Sequence, residues 1–128
     1  MKRSALRLTL GVMGIVQVIL GMVFLFLPVQ FASVLGFADF PAWIAWPFAM
    51  FGARALGFAY GMFLAMRQPE KHRAWIGSMI VVQAIDWLAT GYFLLRGAVT
   101  LPQVSAGALI LPIISIVLLW LCFPRANK

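Results

Sequence analysis

Four long apolar runs, separated by short breaks, occupy most of this 128-residue sequence. A run of about twenty apolar residues matches a helix that crosses roughly 30 Å of hydrocarbon, at about 1.5 Å of rise per residue. Backbone in hydrocarbon must satisfy its own polar groups, and a helix does so within one segment. The runs cover about 5–27, 42–66, 74–95 and 106–123. They predict an all-α fold: a polytopic membrane protein with four transmembrane helices in an antiparallel bundle, one domain over 1–128. Composition agrees, with 64% hydrophobic and 10% charged residues, against about 45–50% and about 25% in soluble domains.

The first span, about 5–27, follows Met1-Lys2-Arg3 and ends at Pro28. That start resembles a signal peptide, but the run from Leu8 to Leu27 is long and no small-residue cleavage site follows it. It is therefore read as a retained span. Gln17 is its polar exception, flanked at helical spacing by Gly14 and Gly21. Such a face allows close approach and offers a hydrogen bond to a neighbouring helix. In residues 28–41, Phe31, Val34, Leu35 and Ala38 recur at helical spacing, predicting a short interfacial helix in the first outer loop. A cap over a ligand is the alternative reading of that segment. Trp43 and Trp46 mark the outer interface, and Pro47 falls in the first turns of the second span, where a missing donor costs least.

The loop over 67–73, RQPEKHR, is the charge-dense stretch in mid-chain. Beyond it comes the third span, with Trp75 at its inner end and Tyr92 near its outer end, then an outer loop over 96–105. The fourth span carries Pro112, a predicted kink, and Ser115 one turn further; Pro124 closes it. Lys2, Arg3, Arg7, Arg67, Lys71, Arg73, Arg125 and Lys128 fall on one side, and Arg96 alone on the other. The bias toward positive charge inside places both termini and the 67–73 loop in the cytoplasm. The net charge of +7 then points to anionic lipid headgroups rather than nucleic acid. His72 has no metal-binding companions at ligand spacing, and Cys122, a lone cysteine, reads as a small apolar residue.

Two patterns carry what chemistry there is. In the second span, Ala45, Ala49, Ala53, Gly57, Gly61 and Ala65 recur every fourth residue. That small-residue stripe predicts a helix–helix contact, with Ala49, Ala53, Gly57 and Gly61 at its heart. Beside it lies Arg54, deep in the span. In the third span, Gln83, Asp86 and Thr90 line one face. Counted from the inner ends, Arg54, Asp86 and Gln17 come out at similar depth, roughly 18 Å along their helices. The expectation is an Arg54–Asp86 pair near the midplane, with Gln17, Gln83 and Thr90 able to join it. The pair is read either as a structural ion pair that fixes which helix faces look inward or as a polar site for an anionic or carbonyl-bearing ligand. The sequence has no phosphate loop, no nucleophile beside a base, no metal cluster and no cofactor motif.

Several of these features together resemble the DoxX-like small four-helix membrane proteins of bacteria. They are the basic start, Gly21-x6-Pro28 ending a glycine-rich first span, Arg54-x-x-Gly57-x-x-x-Gly61, a basic inner loop containing Pro69, and Asp86 in the third span. The resemblance implies an accessory subunit of the bacterial cytoplasmic membrane, in a family associated with membrane oxidoreductase systems. The chain departs from an independent oxidoreductase, having no redox-active cysteine pair. The expected role is a non-catalytic scaffold or accessory subunit, packing in a homo-oligomer or a larger membrane complex. The alternatives are a small-molecule binder or transporter using the Arg54–Asp86 site, and a quinone-contacting subunit.

Overall fold

The computed structural model describes residues 2–41 and 44–124, without the side chains of Ser105 and Ala106. Trp43, Arg125 and Lys128, and the expected start of the second span at residue 42, lie outside the described residues. The chain is all-helical, with five helices: α1 (Lys2–Phe26), α2 (Pro28–Val34), α3 (Ala45–Arg67), α4 (Arg73–Leu95) and α5 (Leu101–Leu121). Helices α1, α3 and α4 are long and apolar enough to cross a bilayer, and Gly107–Leu121 within α5 is a shorter apolar helix.

Local chemistry sets the boundaries. Pro28 cannot donate to the α1 ladder, so α1 stops at Phe26, and the same proline opens α2, where a missing donor costs nothing. Gly36 adopts φ +82° just past the end of α2. There Gly36 N–H donates to the Ser33 carbonyl (3.0 Å) and Phe37 N–H to that of Ala32 (3.1 Å). Bonds of this pattern close a helix on a left-handed glycine. The short helix therefore ends before Leu35 and Ala38, which the periodicity had included. Helix α5 starts at Leu101 rather than near 106. Thr100 precedes it, Pro102 sits in its first turn, and the Gln103 Oε1 accepts from Thr100 N–H at 2.8 Å. The T-x-x-Q spacing of residues 100–103 is a helix-start signal inside what reads, by hydropathy, as a loop.

Packing divides the chain into two antiparallel pairs. Helices α1 and α3 share the most extensive interface. Its register is fixed by glycines of α1: Gly11 lies under Met66, Gly14 under Phe63 and Gly21 under Leu56. Gly52 of α3 faces the Gly21 carbonyl and Leu25, so the two backbones nearly touch there. Helices α4 and α5 form the second pair, with the Arg73 guanidinium 5.4 Å from the Phe123 ring centre. One apolar core joins the pairs, built on Leu6, Leu10, Met62, Ile76, Met79 and Leu119. All six lie toward the end of the molecule that carries the 68–72 loop. At the opposite end, Phe24 gathers Phe31, Phe48 and Phe51 at 5.1–5.5 Å, tying α2 to α1 and α3. Contact between α3 and α4, successive in sequence, is sparse by comparison.

Candidate functional site

Arg54 lies on α3 two turns from Gly61, on nearly the same face at roughly 100° per residue. Gly61 is where α3 meets α4: the Trp75 indole fills the space that a side chain at 61 would need, and Phe58 meets the same ring edge-on at 6.2 Å. Asp86 lies on α4 two turns beyond Met79, on the face that carries Trp75. Each charged residue thus continues the face by which its helix meets the other. Their depths also match, since Arg54 is as many residues from Arg67 as Asp86 is from Arg73.

The two nonetheless form no ion pair: among the described residues, the one ion pair joins Arg3 Nε to Glu70 Oε1 at 3.4 Å. Both Arg54 and Asp86 are exposed. This corrects the expected contact, and the reason lies in the helix packing. A short connecting loop forces α3 and α4 together only near that loop. The Trp75 ring stands between them at Gly61, and α4 beyond it is little covered, with 6% of its most apolar stretch buried against 33% in α3. Facing charges are therefore left unjoined.

The remaining polar residues do not complete a network either. The α1–α3 register sets Gln17 level with Tyr60, six residues along α3 from Arg54 and so about 9 Å nearer the charged loop. Gln17 is half-buried between the two helices and makes no hydrogen bond to Arg54 or Asp86. Gln83 is half-buried on the Asp86 side of α4. The Thr90 hydroxyl donates to the backbone carbonyl of Asp86 at 2.8 Å, which satisfies it within its own helix.

The small-residue stripe is split. Gly61 and Ala65 are buried and Ala45 and Ala49 half-buried, but Ala53 and Gly57 are exposed. Among the described residues, nothing beyond its own stretch of helix lies within 4 Å of a Cβ built at Gly57. The face that lets α1 approach is the neighbouring one, Gly52, Ala55 and Ala59, each buried. Gly52 lies outside the six-residue stripe, and its match is the Gly14–Gly21 face of α1. That complementarity is readable only when both helices are considered together.

Two further contacts were not legible in the pattern. The Trp87 indole donates to the Leu109 carbonyl at 3.1 Å, stitching α4 to α5 one turn before Pro112. Pro112 has no N–H to give the Ala108 carbonyl four residues back; the Trp87 bond falls on the next carbonyl, where it adds an interhelical donor rather than replacing the missing one. Arg7 donates to the Arg67 carbonyl at 3.2 Å, closing the last turn of α3. No group of three or more His, Cys, Asp or Glu residues placed to hold a metal occurs among the described residues. No family model matches the chain, and no curated protein or solved structure shows significant similarity to it.

Proposed function

We propose that this chain is a non-catalytic subunit of a membrane assembly, a four-span protein whose midplane is completed by another protein surface. In this reading α1, α3, α4 and α5 form an antiparallel four-helix bundle in the bacterial cytoplasmic membrane, with both termini and the 68–72 loop inside. Three helices of spanning length and the one-sided distribution of basic residues support the placement. The observation that carries the assembly reading is the state of Arg54 and Asp86: opposite charges at matched depth, exposed and unpaired. An arginine or aspartate facing hydrocarbon costs about 2.5–3.5 kcal/mol on insertion scales. A second protein surface that covers both would remove that cost. The exposed Ala53 and Gly57 beside Arg54 offer a place where its backbone can come close.

The test is particle mass in mild detergent, by light scattering corrected for bound detergent, with identification of co-purifying proteins. The expected particle exceeds one chain, and Gly57→Leu reduces it to one chain without loss of helicity, since no described residue beyond its own stretch of helix lies against that position. A monodisperse single chain with no companion would overturn the proposal. The same unpaired charges favour one second reading, a binder of anionic or carbonyl-bearing small molecules held between Arg54 and Asp86. Such a molecule retained through purification and lost in Arg54→Met would favour it. A quinone-contacting subunit, as the DoxX-like resemblance implies, would instead retain a quinone.

A further inference from the structure

A concave site of about 490 Å³ opens at the charged-loop end, between the start of α1, the loop at Pro69–Glu70 and the last turn of α5. Its walls differ in character. Lys2, Arg3 and Glu70 supply charge on one side, while Trp120, Cys122 and Phe123 line the other. The Arg3–Glu70 ion pair runs through Nε at 3.4 Å, between side chains 63% and 41% exposed. The edge formed by the two terminal nitrogens is then open to a phosphate, which a guanidinium can bind with two parallel N–H donors. Two cations against one carboxylate give the pocket a net positive charge, so an anionic group is favoured and a headgroup carrying its own cation is not.

From this combination we propose that the pocket binds one anionic phospholipid, with the phosphodiester on Lys2 and Arg3 and the upper acyl chain along Trp120 and Phe123. The inference rests on the spanning arrangement proposed above, which puts this end of the helices at the headgroup layer, and is independent of the assembly reading. The walls suit an amphiphile. A free phosphate would use the charged wall and leave the aromatic one uncovered. Basic pockets between membrane helices on the cytoplasmic side are a recurrent way to hold such headgroups.

Cys122 lines the pocket and is half-buried, so its alkylation by a membrane-impermeant maleimide reports occupancy. The protein is placed in nanodiscs of phosphatidylcholine with a rising fraction of phosphatidylglycerol. The expected result is saturable protection of Cys122. Lys2→Gln/Arg3→Gln should raise the half-protecting fraction on the order of tenfold, whereas Arg67→Gln/Lys71→Gln, which removes equal charge outside the pocket, should leave it nearly unchanged. Equal shifts in both double variants would mean diffuse surface attraction and overturn the site. Equal protection by glycerol 3-phosphate, which has no acyl chain, would identify a soluble-phosphate site and overturn the lipid assignment. The wild-type protein is decisive by itself if the variants fail to insert: a Cys122 rate indifferent to phosphatidylglycerol overturns the proposal. Because insertion into nanodiscs is scored first, failure of the spanning arrangement is seen separately from failure of the pocket.

Discussion

A methyl group added at Gly52 meets the Gly21 carbonyl at 2.8 Å and the Leu25 amide nitrogen at 3.0 Å. Both are backbone atoms of a long helix and cannot swing aside. The same methyl at Gly57 meets no other element among the described residues. Gly52→Ala should therefore destabilise the chain by about 1–3 kcal/mol, as overpacking does, less the fraction of a kcal/mol that alanine returns in helix propensity. Gly57→Ala should be neutral or stabilising by up to about 1 kcal/mol, because only the propensity term remains. Unfolding midpoints of the two variants in one detergent measure the difference, and equal losses would contradict the described α1–α3 interface. Trp87 is the other residue whose role is specific. Trp87→Phe keeps most of the ring and deletes the interhelical donor to Leu109, a carbonyl that the α5 ladder also serves through the N–H of residue 113. The expected loss is about 0.5–1.5 kcal/mol, toward the lower end if the unfolded chain in a membrane finds substitute partners. Trp87→Phe as stable as the parent would mean that the helical bond alone satisfies the Leu109 carbonyl.

Among the elements, α1 and α3 carry the tightest packing although α2 and a loop separate them in sequence, and the reason is steric. Gly11, Gly14 and Gly21 on α1 meet Met66, Phe63 and Leu56 on α3, large against small along a shared register. Helices α3 and α4, joined by five residues just as α4 and α5 are, meet over the bulky Trp75 and part company beyond it. Hydropathy alone located the four long helices to within a few residues, because burying a helix in hydrocarbon needs no particular partner. The end of α2 at the Gly36 turn and the start of α5 at Thr100 depended on local hydrogen bonds that hydropathy does not weigh. The Arg54–Asp86 contact was inferred from loop length and charge. Those two facts place residues on facing sides at matched depth, but a third, the size of the side chain between the helices, decides whether they touch. Likewise the small-residue stripe located a helix able to be approached, and only the glycines of α1 determined which of its faces was used.

For the whole molecule, the arrangement divides into an end where both helix pairs share one core and an end where they do not. The orientation proposed for it is open to a direct check. On a background of Cys122→Ala, Ala38→Cys and Ala98→Cys should react with an impermeant thiol reagent from outside intact cells, and Lys71→Cys only after lysis. Labelling of position 71 from outside would reverse the topology. The two unpaired charges yield a sharper prediction, because removing either one has opposite signs in two settings. In a lone chain inserted in a bilayer, Arg54→Met or Asp86→Leu deletes a charge that faces hydrocarbon without a partner, so each should stabilise the monomer. The two gains should add within about 0.3–0.5 kcal/mol, as for residues that do not touch. In the assembled particle the same substitutions should weaken association, since the surviving charge is then buried at an interface without its counterpart, a loss of about 3–5 kcal/mol for buried pairs. Stability of the dissociated chain and the concentration dependence of assembly, measured on both single variants and the double variant, separate the two effects. If both single substitutions instead destabilise the dissociated chain and the double variant recovers part of the loss, Arg54 and Asp86 pair within one molecule. The helix pairs must then close in the membrane, and no second surface is needed at the midplane.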